Sequence, residues 1–89
     1  MRQYIEAVEG VFPLSEAKGG ILRDEKKVQG VTTYEILLHP GTDMRPIVTI
    51  SFLSSRGRDA AYAEIMDGIG RTALIKIAKY QDWTASRFN

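Results

Sequence analysis

Three groupings in this sequence bring together residue types that do chemistry. His39, the one histidine, is followed four residues on by Asp43 in His39-Pro40-Gly41-Thr42-Asp43. An imidazole near a carboxylate pairs a general base with a group that orients it. A nucleophilic mechanism also needs an activated hydroxyl, and no serine lies in a Gly-x-Ser-x-Gly elbow. A metal centre needs three or four ligands, and His39 and Asp43 supply two. We read the pair as loop decoration, with no catalytic residue, metal or cofactor.

The second grouping is Arg56-Gly57-Arg58, between a strand pattern and a helical one. Strand, glycine turn and helix is the order of a phosphate-binding loop, but there is one glycine and no following Lys-Ser/Thr. What survives is a pair of guanidinium groups where free N–H groups point outward, a candidate anion site. The third is the C-terminal run from Lys76 to Asn89, where Lys76, Lys79 and Arg87 alternate with Tyr80, Trp83 and Phe88. Cations interleaved with aromatic rings hold single-stranded nucleic acid by stacking and charge. Core or subunit packing is the competing reading for Tyr80 and Trp83. Together these give the candidate binding residues Arg56, Arg58, Arg71, Lys76, Lys79, Trp83 and Arg87. Among the carboxylates Glu35 stands out, between Tyr34 and Ile36, and is expected on the wet side of a sheet.

Positioning such groups falls to a single domain spanning residues 1–89, whose core is thin. The apolar fraction is 44% and the charged fraction 26%, the values of an ordinary folded domain. There is no cysteine, so disulfides, a thiolate nucleophile and a cysteine zinc site are excluded. No apolar run approaches the roughly 20 residues that span a bilayer. The first residues lack a signal peptide's apolar stretch, so a cytoplasmic location away from membranes is expected. Net charge is +1. Residues 68–89 hold four basic groups against Asp82, a mild excess.

The clearest elements are two strands, Val31–Leu38 and Ile47–Leu53. Tyr34, Ile36 and Leu38 share one face of the first, and Val48, Ile50 and Phe52 one face of the second. Pro40 and Pro46 bracket the loop between them. From Asp59 to Tyr80 the residues Tyr62, Met66, Ile69, Ala73, Ile77 and Tyr80 recur at intervals of four and three, which predicts one long C-terminal helix capped by Ser54 or Ser55. Gly68 and Gly70 fall inside it, and a strand over Thr72–Tyr80 is the alternative. Residues 2–10 predict a short helix, with a strand again open. Residues 21–28 read either as a charged edge strand or as a connector ended by Gln29-Gly30.

Tyr34–Leu38, the Pro-Gly loop, Val48–Phe52 and Arg56-Gly57-Arg58-Asp59-Ala60-Ala61 loosely resemble the double-stranded RNA-binding domain, which runs helix, three strands, helix. Leu53–Arg58 is too short for a further strand before the helix, and the lysine pair opening that family's last helix is missing. We do not assign the chain to it.

The expected fold is α+β, a small antiparallel sheet of two or three strands on a long C-terminal helix. Leu74, Ile75, Ile77 and Ala78 make the end of that helix apolar nearly all round, which asks for a second subunit. The expected function is therefore a non-enzymatic, homodimeric interaction or regulatory protein that binds another macromolecule, a protein first. Nucleic-acid binding through the basic C-terminal helix and the Arg56/Arg58 turn is the alternative.

Overall fold

The computed structural model describes residues 2–41 and 45–81. Among the described residues, six strands and one α-helix follow in the order β1 (Tyr4–Ala7), β2 (Gly10–Pro13), β3 (Gly20–Val28), β4 (Val31–His39), β5 (Val48–Phe52), α1 (Ser55–Gly68) and β6 (Leu74–Lys76). Short 3-10 turns cover Leu14–Ala17 and Ala78–Tyr80. The strands form two three-stranded sheets, one ordered β2-β1-β6 and the other β3-β4-β5.

The second sheet is a meander. β3 and β4 pair along their whole length, from Gly20 opposite His39 to Val28 opposite Val31, and β5 pairs antiparallel with Tyr34–Leu38 of β4. The charged stretch 21–28 is thus an edge strand. Gln29 (φ 52°) and Gly30 (φ 81°) both lie in the left-handed region, the requirement of a two-residue type I′ turn. Glycine carries that conformation without a Cβ penalty. Alternation puts Ile36, Leu38, Val48, Ile50 and Phe52 on one face, and all five are buried.

The helix begins where the expected cap stands. The Ser54 side chain accepts from the Gly57 N–H at 3.0 Å. Its end corrects the expectation of one long helix. Beyond Gly68 the chain turns, with Gly70 at φ 77°, and re-enters the first sheet as β6. The side chain of Gln3 takes over the released backbone groups. Its Nε2 donates to the Gly68 and Thr72 carbonyls, each at 2.7 Å, and its Oε1 accepts from the Gly70 N–H at 2.9 Å. Two glycines weaken the helix, and a side chain from the other end of the chain satisfies its C-terminus. The buried helix residues are Ala61 and Ile65, whereas Met66 and Ile69 of the expected stripe are exposed.

β6 lies parallel to β1, with Ile5 opposite Ile75. Residues 4–7, expected in a short helix, are therefore a central strand: Ile5 and Ala7 face the core while Tyr4 and Glu6 face out. Strands also stand where the RNA-binding domain has its first helix. Ile75 and Ile77 are buried inside this chain. That corrects the premise of the second subunit, because the all-round apolar segment is a strand covered by its own sheet and helix. One cluster of buried residues joins both sheets and the helix, including Ile5, Ile36, Phe52, Ile65 and Ile77.

The sheets are also joined by a polar lock. Gln81 is 0% exposed, and its Oε1 accepts from the Val8 N–H at 2.7 Å. Its Nε2 donates to Glu9 Oε1 at 2.6 Å and to the Ser51 carbonyl at 2.9 Å, and Ser51 N–H donates to Glu9 Oε2 at 2.9 Å. Ser51 turns its N–H and C=O to the free side of β5, so Glu9 and Gln81 close that edge there much as a neighbouring strand would. A buried amide is tolerated because its hydrogen-bonding groups are met.

Candidate functional site

The arginine pair that the sequence offers as an anion site does not act as a pair. Arg56 is exposed in the first turn of α1. Arg58 folds back onto the meander. Its Nε donates to Asp59 Oδ1 at 3.0 Å, its Nη1 donates to the Asp24 carbonyl at 2.9 Å, and its guanidinium lies 5.4 Å from the centre of the Tyr34 ring. Its side chain is 13% exposed, so its charge serves to hold the helix on the sheet.

Arg58 belongs to a cluster that sequence reading missed. Arg23 sits 4.7 Å from the centre of the Tyr62 ring and 3.4 Å from Asp59 Oδ1. Tyr62 Oη–H donates to the Ile21 carbonyl at 3.0 Å. A usable signal existed. Asp59 and Tyr62 are three apart on a helix, hence on one face, and Arg23 has the strand parity of Ile21 and faces the same side.

Two of the C-terminal cations are matched by carboxylates. Lys79 Nζ lies 3.3 Å from Glu64 Oε1, and Arg71 lies 3.5 Å from Asp67. A shallow depression of about 330 Å³ beside β6 is lined by Arg71 and Lys76 together with Glu64 and Asp67. Tyr80 Oη–H donates to Glu64 Oε1 at 2.7 Å. That bond raises the phenol's pKa above its ordinary value of 10.0. Trp83 and Arg87 lie outside the described residues, as does Asp43, the partner considered for His39. His39 ends β4 and lies opposite Gly20. Among the described residues no three His, Cys, Asp or Glu side chains gather as a metal site, and no helix is long and apolar enough to cross a membrane. Glu35 falls on the sheet face away from the helix, opposite Asp24 and Ser51.

The surface that stands out is the β3–β4 hairpin. β5 reaches only as far as Tyr34, so the pairs Lys26–Thr33, Lys27–Thr32 and Val28–Val31 extend beyond it as a two-stranded arm. A nine-residue strand is about 30 Å long, comparable with the 40 Å longest dimension of the molecule. At the tip Val28 and Val31 are 53% and 66% exposed, side by side. Along β3 every residue from Leu22 to Val28 is exposed. The helix packs mainly on β4, β5 and β6 and reaches β3 only through the side chains of Arg58, Asp59 and Tyr62 at Ile21–Asp24. One side of the meander is thus closed by the Glu9–Gln81 lock, and the other is open.

Comparison with protein-family models, with curated proteins and with solved structures finds no match to this chain.

Proposed function

We propose that this is a non-enzymatic interaction protein that works as a homodimer and uses the β3–β4 arm to engage a protein partner. The observation that carries the reading is the arm itself, three residue pairs standing clear of the third strand with two valines exposed at the end. Two-stranded ribbons gain little stability alone in water, and exposed apolar side chains at a ribbon tip are suited to insertion into a partner's surface. Open strand edges and apolar anchors are the usual means by which small modules without a deep pocket recognise proteins.

Nucleic-acid binding through Arg56, Arg71, Lys76, Lys79 and Arg87 is the second reading. Glu64 and Asp67 beside Lys79 and Arg71 weigh against it, because phosphate binding draws on a surplus of positive charge. The test is a photo-crosslinking residue placed at Val31 and, as a control, at exposed Lys18, in the cells that make the protein. A discrete protein adduct from position 31 alone is expected. Adducts of nucleic acid, or equal labelling from both positions, would overturn the proposal.

A further inference from the structure

We infer that the open edge of β3 pairs antiparallel with β3 of a second copy, about a two-fold axis at Asp24, to make one continuous six-stranded sheet. This rests on the reading of the arm as the interaction element and names one partner for its edge.

The ladder's parity shows which backbone groups are available. A two-residue hairpin closes with its flanking residues as a hydrogen-bonded pair, here Val28 and Val31, and bonded and non-bonded pairs then alternate. The outward N–H and C=O groups of β3 therefore belong to Ile21, Arg23, Glu25 and Lys27. The same alternation turns Ser51 outward on the far side, where Glu9 and Gln81 meet it. On β3 the closure is slight: Tyr62 holds the Ile21 carbonyl, and the Glu25 N–H is held by Asp24 Oδ1 at 2.8 Å, a contact between chain neighbours.

Charge selects the register. A two-fold axis normal to the sheet keeps facing residues on one side, so each outward residue meets an outward residue of the second copy. With the axis at Asp24, the midpoint of Gly20–Val28, the strands overlap over all nine residues. Arg23 then faces Glu25 of the second copy, twice by symmetry, and each pair exchanges two backbone hydrogen bonds. Asp24 faces its own copy, the one like-charged pair of this register, and has Lys26 of the second copy on one diagonal and Leu22 on the other. An axis at Glu25 matches Asp24 with Lys26 twice but sets Glu25 against itself and Arg23 against Lys27 twice, three like-charged pairs against one in the Asp24 register. An axis at Arg23 sets Arg23 against itself with no opposite-charge pair facing. An axis at Lys26 matches Glu25 with Lys27 but sets Asp24 against Val28 and runs the ladder into the Gln29-Gly30 turn. Among these registers the axis at Asp24 is thus the one that combines full overlap of β3 with two opposite-charge pairs and a single like-charged one.

The chain has no cysteine, so a single introduced thiol reports the register. Residues facing each other in a non-bonded pair have Cα atoms about 4.5 Å apart, within disulfide range. Asp24→Cys is expected to oxidise to a covalent dimer at concentrations where Lys26→Cys and Lys18→Cys remain monomeric. For the chain without cysteine, Arg23→Glu is expected to weaken dimerisation by roughly tenfold or more, and Arg23→Glu with Glu25→Arg to restore it. A chain monomeric at every concentration, or Asp24→Cys oxidising no faster than Lys18→Cys, would overturn the inference. Preferential oxidation of Lys26→Cys would replace its register. The Val31 crosslink is read separately, so loss of self-pairing with that adduct intact would leave the arm as an element for a different protein.

Discussion

Replacing Gln81 with methionine should destabilise the fold far more than its shape change implies. Methionine fills a similar volume and is tolerated in apolar surroundings, so the main loss is three hydrogen bonds, to Val8 N–H, Glu9 and the Ser51 carbonyl. The Val8 N–H and the Ser51 carbonyl are left without these partners at the junction of the two sheets. Each orphaned group costs about 1–3 kcal/mol, with the lower half apt for part-buried sites, which gives about 3 kcal/mol in all. Glu9 also loses its orienting donor, so the closure of β5 loosens. For a domain of this size the whole stability is on the order of 4–13 kcal/mol, and each kcal/mol moves Tm by about 4–8 °C. The expected result is a fall in Tm of about 10–25 °C and a proportional drop in urea midpoint at unchanged m, followed by circular dichroism. Glu9→Gln removes only the acceptor for Ser51 N–H and should cost about 1 kcal/mol. A Gln81→Met variant within about 0.5 kcal/mol of the parent would refute the lock.

Gly57→Ala should destabilise by about 1–3 kcal/mol, against the roughly 1 kcal/mol gain expected of alanine in a helix, because an added Cβ would stand 2.5 Å from the Tyr80 carbonyl oxygen; chemical denaturation reads the sign. Glu64→Gln should lower the pKa of Tyr80 toward its ordinary value, since the bond from Tyr80 to Glu64 is the main cause of the upward shift; phenolate absorbance against pH reads it. The raised pKa means that the folded state holds the phenolic proton more tightly than the unfolded state. This contribution to stability is therefore complete below the unfolded pKa of about 10 and is lost as pH rises through the folded value.

The parts of the fold legible in the sequence were those with a strict period. Ile36 and Leu38 on β4, and Val48, Ile50 and Phe52 on β5, alternate cleanly and form one wall of the core. Helical spacing misled beyond Gly68, because Ala73, Ile77 and Tyr80 continue it by coincidence. What ends the helix is Gln3, whose contacts with Gly68, Gly70 and Thr72 span some 65 residues of sequence or more. Local propensity carries no trace of such a partner. The parallel pairing of β1 with β6 is equally non-local, and a four-residue strand such as Tyr4–Ala7 is too short for its alternation to exclude a helix turn. Of the candidate site, Arg56 and Arg58 were visible as cations, but only the fold shows that Arg58 is taken up by Tyr34, Asp59 and the Asp24 carbonyl. The arm was half visible: Gln29-Gly30 marks its turn, but its projection depends on where β5 ends.

The most direct test of β3 as the docking edge is the molar mass in solution by light scattering, over a wide range of concentration, for the parent chain, Arg23→Glu, and Arg23→Glu with Glu25→Arg. The expected result is a monomer–dimer equilibrium in the parent, shifted to monomer by the single reversal and regained by the double one. A parent that stays monomeric throughout, or a dimer indifferent to both reversals, would contradict it.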